Sequence, residues 1–189
     1  MERSNLHPTD AELMRDAGRG DEAACRELVD RHAPNLYRLA YSLVNNACDA
    51  EDVLQETFAG AFGQAGRFQE RSAVKTWLSQ ILVRQAAKCH RSRKRHSMTH
   101  LDWASESTRW RPVGKPPGCA QTQSDTRVDV LAVLQTLPPA HREIVVLREM
   151  QGMSYEEIAA VLEVPCGTVE SRLFRARLEL KERLKDYLP

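Results

Sequence analysis

The sequence contains no run of about 18 consecutive apolar residues, so no segment reads as a transmembrane helix. Its first sixteen residues, MERSNLHPTDAELMRD, lack the apolar centre of a signal peptide. Together these absences lead us to expect a cytoplasmic protein with no direct membrane insertion. Aromatic residues are scarce at 6%. A core must therefore rest on Leu, Val, Ile and Ala, which suits small helical units better than a β-sandwich. Strand-like alternation and Asn-Gly hairpin signals are missing. The five cysteines, Cys25, Cys48, Cys89, Cys119 and Cys166, are scattered, odd in number and form no C-x-x-C pair. This argues against a disulfide framework or zinc knuckle. Cys89 and His90, with His96 nearby, have ligating chemistry, but adjacent residues point different ways on a helix. Reduced thiols and no metal are the expectation. No G-x-x-x-x-G-K-[ST], H-E-x-x-H or G-x-S-x-G motif occurs, so neither an enzyme nor a cofactor is indicated.

What is present divides the 189 residues in two. The stretch from His96 to Asp125 carries Pro112, Gly114, Pro116, Pro117 and Gly118, many Ser and Thr, and no sustained apolar period. It reads as an irregular linker, with Trp103 and Trp110 able to pin it to a surface. The expected architecture is all-α, with two small helical domains (residues 1–95 and 126–189) joined by that linker (96–125). In the first domain, Thr9 or Asp10 caps a helix from Ala11, which the GRGD stretch ends. A second helix spans Asp21 to His32. A third follows Pro34, with Leu36, Leu39, Ala40, Leu43 and Val44 at helical spacing. Asp49 caps a fourth with Val53, Leu54, Phe58, Ala61 and Phe62 inward. Ser72 or Ala73 opens a long helix through Trp77, Ile81, Leu82 and Ala86.

The net charge of +1 hides a strong segregation. Asp49–Glu56 holds the acids Asp49, Glu51, Asp52 and Glu56 and no base. Acids at a helix start favour the macrodipole, which accounts for part of this pattern. Arg84–Arg95 is its opposite, with Arg84, Lys88, Arg91, Arg93, Lys94 and Arg95 and no acid. Such a cluster repels itself until phosphates neutralise it and release counterions. Trp77 and Phe68 lie upstream, where they serve either core packing or the stacking of unpaired bases. An acidic and a basic helix in one small domain point to two partners, one of them nucleic acid.

The C-terminal segment carries the sharpest pattern. Pro139 starts a helix with Ile144, Val145 and Leu147 inward, and Gly152 ends it. Ser154 and Glu157 have capping-box spacing and open a short helix burying Ile158, Val161 and Leu162. Pro165 and Gly167 then turn the chain. A short helix, a tight turn and a longer helix form a helix-turn-helix. On the last helix, Val169, Leu173, Ala176 and Leu180 share the inward face. Ser171, Phe174, Arg175 and Leu178 fall opposite, with Arg172 and Arg177 on the flanks. Phe174 thus points away from the core. In a major groove, Arg reads guanine while an apolar group meets the thymine methyl. Thr168 and the helix start suit a phosphate.

In their order and spacing, GDEAACRELVDRH, DAEDVLQETF, RF with TWLSQIL, LPPAHREIVVLRE and GMSYEEIAAVLEVPCGTVESRLFRAR resemble bacterial sigma factors of the extracytoplasmic-function (ECF) type. The resemblance spans nearly the whole chain except the linker. It implies a non-catalytic promoter-specificity subunit of RNA polymerase, whose partners are core RNA polymerase, promoter DNA and an anti-sigma factor that could be membrane-anchored. By the same resemblance, Asp49, Glu51, Asp52, Gln55 and Glu56 would contact core polymerase. Phe68, Ser72, Trp77, Arg84, Lys88 and Arg91 would take the melted −10 element. Thr168, Ser171, Arg172, Phe174, Arg175 and Arg177 would read the −35 duplex. The chain departs from many members at Arg84, where Asn helps hold a flipped base, and at Glu170, where a basic residue is common. It also has Cys25 and His32 where aromatics are frequent.

Overall fold

A computed structural model describes residues 8–68, 70, 72–99 and 130–185, with backbone alone for Arg67 and residues 94–99. Eight α-helices and no strand occur among the described residues: α1 Asp10–Ala17, α2 Glu22–Val44, α3 Ala47–Gly63, α4 Val74–Thr99, α5 Val130–Thr136, α6 Pro139–Val145, α7 Tyr155–Leu162 and α8 Cys166–Arg183. Trp103, Trp110, Cys119 and most of the stretch read as a linker lie outside the described residues. α4 itself runs on to Thr99, past the expected linker start at His96.

Local chemistry fixes most helix ends. Thr9 caps α1 in a reciprocal capping box with Glu12. Ser154 does the same for α7, its Oγ accepting from the Glu157 N–H at 3.1 Å while the Glu157 carboxylate accepts from the Ser154 N–H at 2.8 Å. Three local expectations are corrected. First, the helices expected on either side of Pro34 are one helix, α2, with the proline inside it. Proline removes one backbone donor, but Leu28 before it and Leu36, Leu39 and Leu43 after it are buried in the same core. That shared burial outweighs a single lost bond. Second, Asn46, not Asp49, caps α3, its side chain accepting from the Asp49 N–H at 3.0 Å. Asp49 stands in the first turn instead, where its charge still favours the helix dipole. Third, the turn before α8 does not use Gly167, which lies within that helix. Glu163 takes the left-handed conformation there, with φ of 55°, closing α7 through its N–H to the Ala159 carbonyl.

In chain order the helices fall into two groups, α1–α4 and α5–α8, whose buried residues join in one continuous core. Met14, Leu28, Leu39, Leu78 and Leu82 are fully buried in the first, and Ile144, Leu147, Met153, Ile158 and Leu173 in the second. Each such side chain contributes about 1.5–3 kcal/mol by leaving water. α6 widens into a π-helical turn over Val146–Met150, where the Gln151 N–H reaches the Val146 carbonyl at 3.1 Å. Gly152, with φ of 67°, then permits the reversal into α7. The two groups also touch each other: α7 packs on α4, and α5, α6 and the π turn pack on α2.

Candidate nucleic-acid interface

α8 is the clearest surface. Val169, Leu173 and Ala176 are 0–1% exposed and Leu180 is half-buried, so the inward face is filled. Phe174 is 65% exposed and Leu178 50%, on the opposite side. Arg175 and Ser171 are exposed beside Phe174, the Ser171 hydroxyl donating only to the Thr168 carbonyl of its own helix at 3.1 Å. Thr168 is half-buried. The two flanking arginines are less free. Arg177 donates to Glu149 at 2.7 Å, and that hydrogen bond raises its pKa. Arg172 is half-buried and near enough to Glu143 to favour the ionised carboxylate. The structure therefore presents Ser171, Phe174 and Arg175 together and holds Arg172 and Arg177 against acids of the neighbouring helix and turn.

On α4, Trp77, Arg84, Lys88 and Arg91 fall within about 60° of one another at 100° per residue. Phe68 meets Trp77 with ring centroids 5.3 Å apart, tilted at 52°, and both rings are half-buried. The Trp77 indole thus serves packing and still shows an edge at the surface. Ser72 is half-buried, and Lys88 and Arg91 are exposed. Arg84 is ion-paired to Glu163 across the boundary between the helix groups. Cys89 and His90 diverge: the thiol sits under α3, where burial pushes its pKa up, and His90 Nε2 donates to the Leu43 carbonyl at 3.0 Å.

α3 lies on the other side of that stripe. Glu51, Asp52, Gln55 and Glu56 are exposed, whereas Asp49 is only 24% exposed and accepts from Arg93 at 2.7 Å. Asp52 and Glu56 line one groove with Gln85, Lys88 and Ser92 of α4. Glu51 and Gln55 sit roughly 100° around the helix from that edge. The five polymerase-contact candidates thus divide between two faces of α3. Sequence reasoning missed Lys75, Thr76, Gln80, Gln135, Arg142 and Glu163, which join the helix groups. Each partner is at least 76 residues away in sequence where the bond crosses the boundary, and no local pattern announces such a pairing.

Residues 28–96 match the model of Sigma-70 region 2, and residues 127–180 match that of Sigma-70, region 4. The chain is 32% identical over 185 residues to the RNA polymerase sigma-H factor of Pseudomonas aeruginosa, covering 95% of both proteins. It is 40% identical over 174 residues to the ECF RNA polymerase sigma factor SigE of Mycolicibacterium smegmatis, covering 89% of this chain and 64% of that one. The chain belongs to the ECF RNA polymerase sigma factors. Members of this family are transcription initiation factors without enzymatic activity, and this sigma factor directs transcription. Its fold is similar to that of the sigma factor RpoE of Bartonella quintana, solved in complex with the anti-sigma factor NepR. The TM-score is 0.68 at 31% identity, covering 85% of this chain and 96% of that one.

Proposed function

We propose that this ECF sigma factor works in the cytoplasm, bound to core RNA polymerase, and recognises promoters with two separate surfaces. α8 reads the −35 element as duplex, with Ser171, Phe174 and Arg175 as the base-facing set and Arg172, Arg177 and Thr168 toward the backbone. The stripe of Trp77, Arg84, Lys88 and Arg91, with Phe68 and Ser72, takes the −10 element as unstacked single strand. Capturing bases in this way drives strand opening by binding energy alone. The exposed acids of α3 (Glu51, Asp52, Gln55 and Glu56, with Asp49 behind them) contact core polymerase. In this reading α1–α4 act as the polymerase and −10 unit, α5–α8 as the −35 unit, and the intervening segment as the tether. An anti-sigma factor controls access to these faces, as suggested by the similarity to a sigma factor crystallised with one.

The observation that carries the reading is Phe174, 65% exposed beside Arg175 on a helix whose inward face is already full. A solvent-facing phenylalanine between arginines has no role in packing, and it has one against a thymine methyl. Transcription from candidate promoters by purified core polymerase, with and without this chain, tests the function. Initiation should depend on the chain and on the promoter; initiation indifferent to the chain overturns the reading.

A further inference from the structure

The face of α4 next to its basic stripe is occupied by this chain's own helix-turn-helix. Arg84 is ion-paired to Glu163, and Gln80 Nε2 donates to the Ala160 carbonyl at 3.1 Å and to Glu163 at 3.3 Å. Thr76 Oγ1 donates to Glu157 at 3.1 Å, and Lys75 Nζ to the Gln151 carbonyl at 2.8 Å. One helix thus offers four cationic or donor side chains to two carboxylates and two carbonyls of α7 and its flanking turns. Anionic oxygens on a basic helix are what a nucleic-acid strand would also supply. Glu163 holds its position in a left-handed backbone conformation, a local cost for a non-glycine residue.

We propose that α7 is an internal competitor for the −10 surface: Glu163 and Glu157 occupy Arg84, Gln80 and Thr76 in a closed state that must open before single-stranded DNA engages α4. This rests on the assignment of α4 to the −10 strand. The outward face of α8 stays exposed while α7 is docked, so the closed chain is hindered at Arg84 toward single strand and open toward duplex. Recognition is thereby ordered, with duplex binding available first and strand capture coupled to undocking of α7. The Arg84–Glu163 pair is more than half exposed at each side chain, so by itself it biases the closed state weakly. The bonds from the uncharged donors Thr76 and Gln80 and the packing of α7 on α4 share the load, so the latch is a sum of modest contacts.

The experiment is fluorescence anisotropy of a labelled, random-sequence single-stranded 20-mer with the full chain at fixed salt, alongside small-angle scattering. Glu163→Gly removes the carboxylate and suits the left-handed position, so it does not endanger the fold. Thr76→Val removes a latch bond at a buried position without changing charge. Each should raise single-strand affinity about two- to fivefold and enlarge the particle. Glu163→Gly should have a smaller effect in an Arg84→Ala background, where only its bond from Gln80 is left to lose. A gain in Glu163→Gly alone marks simple removal of a repelling charge and overturns the proposal. So does unchanged affinity in both variants while Arg84→Ala and Lys88→Ala weaken binding; the −10 assignment then survives. Single-strand affinity indifferent to Arg84→Ala and Lys88→Ala sinks the −10 assignment itself, and the competition with it.

Discussion

Arg142 Nη1 of α6 donates to the Leu43 carbonyl of α2 at 3.1 Å, joining residues 99 apart in sequence. The same guanidinium donates to the carbonyls of Leu134 at 3.0 Å, Gln135 at 2.9 Å and Leu137 at 3.1 Å. Leu43 lies in the last turn of α2, and Leu134 and Gln135 lie in the last turn of α5 with Leu137 just past it, where carbonyls have no partner four residues on within the helix. One buried arginine, 9% exposed, therefore satisfies the ends of two helices in different halves of the chain. Burial lowers its pKa, yet an arginine keeps its proton in proteins, so the charge must be met by these dipoles. Arg142→Met takes a donor from four carbonyls, of which Leu43 keeps His90 Nε2 and Leu134 keeps the Leu137 N–H, and should cost about 3 kcal/mol, read as a lower urea midpoint. Lysine, with a compact ammonium in place of the planar fork, should recover only part of the loss.

The two faces of α8 separate fold from recognition. Leu173→Ala empties a site that is 1% exposed and should cost about 2–5 kcal/mol of stability. Phe174→Ala, one residue on, should leave stability within about 0.5 kcal/mol. It should weaken binding to the cognate −35 duplex by about 1–2 kcal/mol, the scale of a base-edge contact. Thermal unfolding and duplex binding measured on both variants give opposite patterns if the assignment of faces is right. A loss of stability in Phe174→Ala would place that ring in the core.

Much of this was legible in the sequence because it is local. The capping box of Ser154 and Glu157, the proline at the start of α6 and the inward stripe of α8 depend on spacings of three and four residues, and all appear as read. Pro34 misled because a propensity rule was applied where tertiary burial on both sides of the proline decides. Asp49 misled because Asn46 has the same capping chemistry three residues earlier. The closing contacts were illegible for another reason. Glu163 and Arg84 are 79 residues apart, and nothing in the local pattern of either names the other. A sequence shows the charge of Arg84 without its partner.

Thiol reactivity should divide by burial. Burial pushes the Cys25 and Cys89 thiols up in pKa, with Asp21 adding to the first and Asp49 to the second. Both therefore hold less of the nucleophilic thiolate at neutral pH. Cys48 and Cys166 are exposed. Iodoacetamide at neutral pH should label Cys48 and Cys166 well before Cys25 and Cys89, followed by peptide mass spectrometry. Equal rates at all four would mean that the helices covering Cys25 and Cys89 open readily.

Polymerase binding is expected to follow the exposed acids of α3. Asp52→Lys with Glu56→Lys reverses two charges that face solvent, so the helix should survive, with stability changed by less than about 1 kcal/mol. Affinity for core polymerase should fall at least tenfold, most steeply at low salt, where complementary charge acts at longest range. Binding of the free chain to a −35 duplex should not change, because α8 is remote from that groove. Pulldown of core polymerase, paired with duplex anisotropy, checks both halves.

Glu143 gives the chain a signed pH dependence. It is half-buried, lines a water-sized cavity with Leu43, Ala86, Ala87, His90, Pro139 and Arg142, and faces Arg172. Burial raises its pKa; the charges of Arg172 and then Arg142 lower it without cancelling the effect. The folded carboxyl thus binds its proton more tightly than the unfolded one does. Between the ordinary carboxylate pKa and the raised folded value, the native state carries more protons than the unfolded state, so stability falls as pH rises through that window. Below the ordinary value both forms are protonated and the favourable contribution is complete. Glu143→Gln keeps the shape, removes the titration and should flatten this part of the stability profile. Urea unfolding from pH 4 to pH 7 on both proteins checks it: the variant's advantage over the parent should grow with pH, and an advantage that shrinks with pH would mean that Arg172 outweighs burial.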